Sequence, residues 1–363
     1  MAMAFLNGEF VELADAKVSA LDAGFQHGVG VFDTMLGGVL TPEADDLDDD
    51  LNDDRDDSLD SPSDEPTGIQ AWVLDMEDHL ERLATSCREL GLSEDLSTDG
   101  LGRAVLETVR RSGLRRARVR LTVTGGPLNL LKRDLSSAAA KPATAIPSAS
   151  GQLTILIVAS MATEYPETML SRGVMAVVAD TKANPFNPYE SHKTLNYWWR
   201  LRELQIAAAK GAGEALVFSV TNHLCGGCVS SALIVKDGNV RTPIARGEEG
   251  ASYEPGMTDA IGADQAGGVK LKNGILPSAV LPGIARKWAI RQLATEGVVV
   301  KRSMLTVTDV LEADELLLTN SSWGVLPVVQ LEGRQIGAGK PGPICTQLVR
   351  AWRDELASPP VWG

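Results

Sequence analysis

The sequence predicts a mixed α+β chain divided into two domains, and three observations predict it. The chain is 363 residues long, enough for about two domains with ample core. Strand and helix patterns alternate along it. In ARVRLTVTGG, Val119, Leu121 and Val123 alternate with polar residues as in a half-buried strand, whereas MEDHLERLATSCRELGL carries Leu80, Leu83 and Cys87 at helical spacing and meets Gly91 as its stop. Between the halves, residues 127–152 turn rich in Ala, Ser and Pro, which reads as a linker. The expected division is therefore 1–126, a linker over 127–152, and 153–363.

Composition narrows the class. Hydrophobic residues make up 44% and charged residues 23%, ordinary for a soluble globular protein. The opening MAMAFLNGEF has no secretory apolar run, and no stretch reaches the roughly 20 apolar residues of a membrane span, so a cytoplasmic location is expected. Four cysteines are too few for a disulfide framework. The net charge of −14 is concentrated: residues 41–66 hold thirteen Asp or Glu against Arg55, leaving the remainder at −2. The stretch 41–68 reads as a disordered acidic insertion, since it cannot bury enough apolar surface to order itself. It lacks the glycine and closing glutamate of an EF-hand. Without a basic patch interleaved with aromatics, nucleic acid is not an expected partner.

In order, FLNGEF reads as a hairpin turning at Asn7-Gly8. Gly24, Gly28 and Gly30 punctuate a turn before a short apolar strand; no βαβ unit follows to support a dinucleotide loop. AWVLDM is the next strand, then the helix of Met76–Leu92 and another over about Leu101–Arg111. LTILIVAS is expected to open the second domain, followed by the strands GVMAVVAD, EALVFSV and SSALIVKDGNV. Residues 246–275 are Gly-rich and read as a surface loop insertion. LPGIARKWAIRQLA is a loop feeding a helix, whose first-turn amides form an anion site. ADELLLTNSSWGVLPV is a strand and polar turn.

The chemistry-bearing stretch is ESHKTLNYWW. A helix is expected from about Thr194 to Lys210, with Leu195, Trp198, Leu201 and Leu204 on one apolar face, so that Lys193 stands at its entrance. A lysine stripped of water has a depressed pKa, and its neutral amine attacks carbonyls to form a Schiff base. The plain alternative is a lysine snorkelling from a helix end.

Lys193 with HKTLNYW, the run Asp22, Gly24, Gly28, Gly30, Phe32, Asp33 and Thr34, and HLERL around Arg82 resemble the class IV aminotransferases, the fold-type IV pyridoxal 5'-phosphate (PLP) enzymes. That resemblance implies a small N-terminal α/β sandwich, a larger C-terminal pseudo-barrel domain that binds PLP, and a homodimer. It implies that Lys193 holds PLP as a Schiff base and that Arg82 pairs with the phosphate through its planar fork. Ile284 and Ala285 fall on the family's phosphate loop, with Ala285 in place of a threonine, and Ser321 or Ser322 completes the phosphate cup. Tyr197 is a candidate for the cofactor's ring oxygen. Gly125 and Gly126 stand where some relatives carry an arginine for the substrate carboxylate.

One departure concerns mechanism. The family's [AC]-E-G-[ST]-x-[ST]-N pattern falls on Cys225 to Ser231, putting Gly226 where relatives carry the glutamate that keeps the PLP ring nitrogen protonated. A protonated ring is the better electron sink. Gly226→Glu is expected to raise activity if the rest of the site is intact; no gain would mean that another group already serves the ring nitrogen. The same departure creates Cys225-Gly-Gly-Cys228 near His223; without a second ligand pair or a helix N-terminus it reads as two small residues at a tight turn rather than a zinc or redox site.

Three functions follow. The first is a PLP-dependent aminotransferase acting on the α-amino group of a small amino acid. The second is lyase chemistry, as in aminodeoxychorismate lyase, which TNSSWGVLPV and GKPGP resemble and which forms 4-aminobenzoate with loss of pyruvate. The third is a degenerate, non-catalytic member of the family, motivated by Gly226 and Ala285.

Overall fold

A computed structural model of the chain describes residues 2–40, 69–127, 153–249 and 277–360. The acidic insertion, nearly all of the linker and most of the 246–275 loop lie outside the described residues.

The first half contributes β1 (Met3–Leu6), β2 (Glu9–Glu12), α1 (Ala23–His27), β3 (Gly30–Leu40), β4 (Gln70–Val73), α2 (Met76–Glu89), α3 (Thr98–Ser112), β5 (Ala117–Thr124) and β6 (Thr154–Met161). Its six strands form one antiparallel sheet in the order β2-β1-β6-β5-β3-β4. Asn7 and Gly8 both adopt positive φ, 51° and 105°, as a tight hairpin between β1 and β2 needs. Side chains alternate across a strand. Val31 and Met35 of β3 and Val119, Leu121 and Val123 of β5 therefore bury against α2 and α3 in one core with Leu83, Val105 and Val109. Phe32 and Thr34, with Arg118 and Arg120, occupy the opposite face and look into a cavity.

The second half contributes α4 (Glu167–Arg172), β7 (Val174–Val178), α5 (Trp198–Ala209), β8 (Glu214–Phe218), β9 (Leu224–Gly227), β10 (Ser231–Lys236), β11 (Asn239–Pro243), α6 (Ile284–Thr295), β12 (Val300–Ser303), α7 (Val307–Leu311), β13 (Glu315–Asn320), β14 (Gly324–Leu331), β15 (Arg334–Gln335) and α8 (Pro343–Ala357). Its sheet runs β12-β11-β10-β13-β14-β7-β8-β9, with β15 paired to β14, and mixes parallel and antiparallel neighbours. Leu316 and Leu318 of β13 pack into one core on one face, and Leu317 joins Trp288 of α6 and Trp352 of α8 on the other. Burial on both faces explains why EALVF and ELLLT are apolar without alternation. Leu36 and Trp72 of the first half belong to the same cluster as Trp288 and Trp352, so the halves share a core.

Two expectations need correction. LTILIVAS does not open the second domain: as β6 it lies between β1 and β5, pairing Ala117–Thr124 with Thr154–Met161 over eight residues. Residues 128–153 thus connect two strands of one sheet, and the passage to the second sheet comes after Met161. Nor does the lysine helix start at Thr194. It starts at Trp198, because residues 193–195 run beside β3: Phe32 N–H donates to the Lys193 carbonyl (2.9 Å) and Leu195 N–H to the Gly30 carbonyl (2.9 Å). The face of α5 that buries is Glu203 and Ala207, while Trp198 and Leu201 are exposed. Among the described residues no helix is long and apolar enough to cross a membrane.

Candidate active site

A cavity of about 650 Å³ opens between the two sheets, and Lys193 lines it. The lysine reaches its place through β3. Because β4 pairs only with residues 37–40 of β3, the 30–34 edge is free to take residues 193–195 as a short partner strand. Asp22 builds the turn that delivers β3. It caps α1 by accepting from Gly24 N–H (2.7 Å), and it accepts from the Thr124 and Thr154 hydroxyls (2.7 Å each). Any Cβ on Gly24 would meet Thr124 Cγ2 at 2.5 Å, so that glycine is required by close approach. The Lys193 ammonium lies 4.8 Å from the Phe32 ring centroid and 5.5 Å from that of Tyr197. Those two rings meet edge to face at 5.2 Å, forming an aromatic floor beneath the amine.

Beneath β3 sits a buried ionic cluster. Arg82 grips Asp33 through Nε (3.0 Å) and Nη2 (2.7 and 2.8 Å), and its Nη1 donates to the Pro282 carbonyl (3.0 Å). His79 Nδ1 contacts Asp33 (2.8 Å) and its Nε2 faces the Ser321 hydroxyl (3.3 Å). Burial alone would raise the Asp33 pKa, but Arg82 and His79 outweigh it and hold the carboxyl well below the usual range. The arginine fork is thus engaged by Asp33. Of the five guanidinium N–H groups, about one on Nη1 remains for another acceptor, so Arg82 offers the cavity chiefly its charge.

Opposite, the cavity wall is shaped to receive an anion. Gly283 is the N-cap of α6 and brings no side-chain cap, which leaves the first-turn amides around Ile284 and Ala285 open. A Cβ on Gly283 would collide with the Ser231 hydroxyl, so backbone and hydroxyl converge closely there. Among the described residues Thr319 Oγ1 is buried with no hydrogen-bond partner, and Thr319 lines the same cavity as Ser231, Ser321 and Ser322. An orphaned buried hydroxyl beside open helix amides fits a phosphate group. The pocket therefore has an amine, an aromatic floor and an anion seat, which suit a phosphorylated aldehyde such as PLP.

Tyr197 donates its hydroxyl to the Cys228 carbonyl (3.3 Å), leaving the phenol oxygen able to accept. Gly226 adopts φ +132°, and a Cβ there would stand 2.6 Å from the Ser230 carbonyl oxygen. A side chain at this position is strained by both the backbone angle and the close carbonyl, which weighs against the expectation that Gly226→Glu raises activity. Cys225 and Cys228 are free thiols whose pKa values burial pushes up to about 12, so neither is a nucleophile near neutrality.

Sequence reasoning misses several cavity residues. Arg118 and Arg120 read only as polar positions of a strand; their period-2 spacing puts them on one face, but only the sheet order shows that this face is the cavity. Arg120 stacks 3.8 Å over Phe32, and burial followed by Arg118 lowers its pKa. His79 is legible as the histidine of HLERL, three residues before Arg82 on one helix face. Thr319, Glu190 and Arg200 leave no local signal.

Comparison with known proteins gives a consistent answer. The Amino-transferase class IV family profile matches residues 69–250 and 272–331. A Methanocaldococcus jannaschii protein named as a branched-chain-amino-acid aminotransferase is 26% identical over 356 residues, covering 96% of this chain and 95% of the relative. The branched-chain-amino-acid aminotransferase of Pseudomonas aeruginosa is 23% identical over 352 residues, covering 96% and 91%. A T.th. branched-chain amino acid aminotransferase, solved with pyridoxamine 5'-phosphate, superposes with a TM-score of 0.71 at 20% identity, covering 98% of this chain and 93% of the other. The fold is thereby that of the fold-type IV enzymes.

Proposed function

The chain belongs to the class IV amino-transferase family, a PLP-dependent enzyme family, and from that premise we propose that it moves the α-amino group of an aliphatic, branched-chain-type amino acid to a 2-oxo acid. One observation carries the reading. The Lys193 amine and an anion seat with an orphaned hydroxyl, Thr319 Oγ1, face one cavity. PLP, when bound, supplies the carbonyl that captures the amino group and the conjugated ring that spreads the charge at Cα.

The chain's own residues do the rest. Lys193 supplies the amine that holds the cofactor, and once released it moves the proton at the substrate's Cα. The amides at Ile284 and Ala285, with hydroxyls of Ser231, Thr319 and Ser321 or Ser322, hold the phosphate; Arg82 contributes charge. Tyr197 orients the ring through its phenol oxygen. Arg118 and Arg120 receive the substrate carboxylate, and Tyr165, Met169, Val229 and Trp323 offer an apolar wall for an aliphatic side chain. The named relatives are aminotransferases, and this favours amino transfer over elimination to 4-aminobenzoate. We take the working unit to be a homodimer.

The test uses the protein as purified with PLP. A visible band typical of lysine-bound PLP, absent in Lys193→Ala, with amino transfer from leucine, isoleucine or valine to 2-oxoglutarate, is the expected result. Absence of the band in the unsubstituted protein means a degenerate family member and ends the enzymatic reading.

A further inference from the structure

The side chains lining the cavity include five cations, Arg82, Arg118, Arg120, Lys193 and Arg200, and a single carboxylate, Glu190, among the described residues. Such a surplus of positive charge works against a proton on any pyridine ring placed there. If the ring is to be protonated, an anion must stand by it, and Gly226 cannot provide one.

Two glutamates flank the Cys225–Ser230 turn, and they differ in availability. Glu214 is fully engaged under the turn: it accepts from the N–H groups of Ala215 (2.9 Å), Cys228 (3.2 Å) and Val229 (3.3 Å) and from the Ser230 hydroxyl (3.0 Å). Glu190 has a long 3.4 Å contact with Arg200 Nη2, with its side chain only 13% exposed. Arg200 also reaches the Cys228 carbonyl (3.4 Å) and stacks 4.4 Å over Trp199, so it is held against the same turn. Cys225, next to Gly226, lies in the field of both Arg200 and Glu190.

We propose that Glu190, backed by Arg200, is the acid that gives its proton to the pyridine nitrogen of bound PLP, from a different segment of the fold than position 226. The proposal rests on the reading of Lys193 as the PLP-holding residue. In the transfer, the O–H bond of the Glu190 carboxyl breaks and an N–H bond forms on the ring. The negative charge left on Glu190 is stabilised by the neighbouring Arg200 guanidinium. Burial, opposed by Arg200, holds the Glu190 pKa above the ordinary carboxylate range, which brings it closer to that of a pyridine.

The experiment is magnetic resonance of holoenzyme reconstituted with PLP carrying an isotope-labelled pyridine nitrogen. It compares the unsubstituted protein with Glu190→Gln and Arg200→Met, with melting curves and cofactor content recorded for each. The expected result is a protonated ring nitrogen in the unsubstituted protein, lost in Glu190→Gln and weakened in Arg200→Met, with the lysine-bound visible band retained in both variants. A ring nitrogen still protonated in Glu190→Gln overturns the proposal. So does an unprotonated nitrogen in the unsubstituted protein, the result if Arg200 itself donates to the ring. A variant that loses PLP altogether also counts against it, because a proton donor to the ring is not needed to hold the phosphate. Failure of the unsubstituted protein to take up PLP at Lys193 is separate, and refutes the aminotransferase reading beneath it.

Discussion

At the scale of single residues, Thr319 offers the sharpest prediction. Its hydroxyl is buried with no partner among the described residues, so Thr319→Val removes an unsatisfied group and leaves the cofactor-free protein as stable or slightly more so. The same substitution weakens PLP binding by about 1 kcal/mol, read as a several-fold rise in Kd by cofactor titration. Equal loss in both measurements refutes the hydroxyl's role. His192, beside the lysine, gives a pH prediction. Burial, then the nearby Arg246 charge, lowers its pKa from 6.5 to about 4; its ring contacts Ser86 (2.9 Å) and lies 3.5 Å from Glu89. The unfolded chain therefore binds this proton at a higher pH than the folded one. Stability falls as pH drops from about 6.5 towards 4 and levels off below, with up to ~3 kcal/mol at stake. Urea midpoints across that range should flatten in His192→Gln. Lys193 and Arg82 are legible in the sequence because their neighbours form continuous motifs. Arg118, Arg120 and Thr319 are not, since a strand's alternation says that two faces exist but not what each one meets.

Among elements, the turn that leaves β9 towards β10 decides the matter of Gly226. With φ at +132° and the Ser230 carbonyl 2.6 Å from any Cβ, Gly226→Glu strains the turn by roughly 1–3 kcal/mol. We expect a lower melting temperature and no gain in activity; a more active variant of unchanged stability would show that the turn can rearrange. The pattern of elements reads well from periodicity for α2, α3, β5 and the β1–β2 hairpin, where apolar spacing and turn residues agree. It misleads at the lysine, where Leu195 to Leu204 mimic a helical stripe although the residues that begin that run pair with β3. β6 goes astray for a related reason: an Ala-, Ser- and Pro-rich stretch looks the same whether it separates domains or joins neighbouring strands.

For the whole molecule, the surface carries large apolar side chains that a lone protomer would leave wet. Phe25 and Trp198 are each 77% exposed and Met161 is 74% exposed. Exposed aromatics are the usual anchors of an interface. Sedimentation of the purified protein should report a dimer, and Trp198→Asp should shift it towards monomer; a monomer from the outset removes the homodimer from the account. The overall architecture is predictable as two α+β units because family motifs span both. Their joint core through Trp72, Leu36, Trp288 and Trp352 is not, since those residues lie far apart in sequence.

The short ladder between residues 193–195 and β3 has a mechanical consequence. It ties the Lys193 amine to the first sheet, whereas the amides and hydroxyls that would clasp the phosphate sit on α6, β10 and β13 of the second. A rigid molecule bound at both points would act as a strut of set length, fixing how far apart the two halves can stand. Loading the pocket should then tighten the seam between the sheets, and emptying it should let that seam breathe.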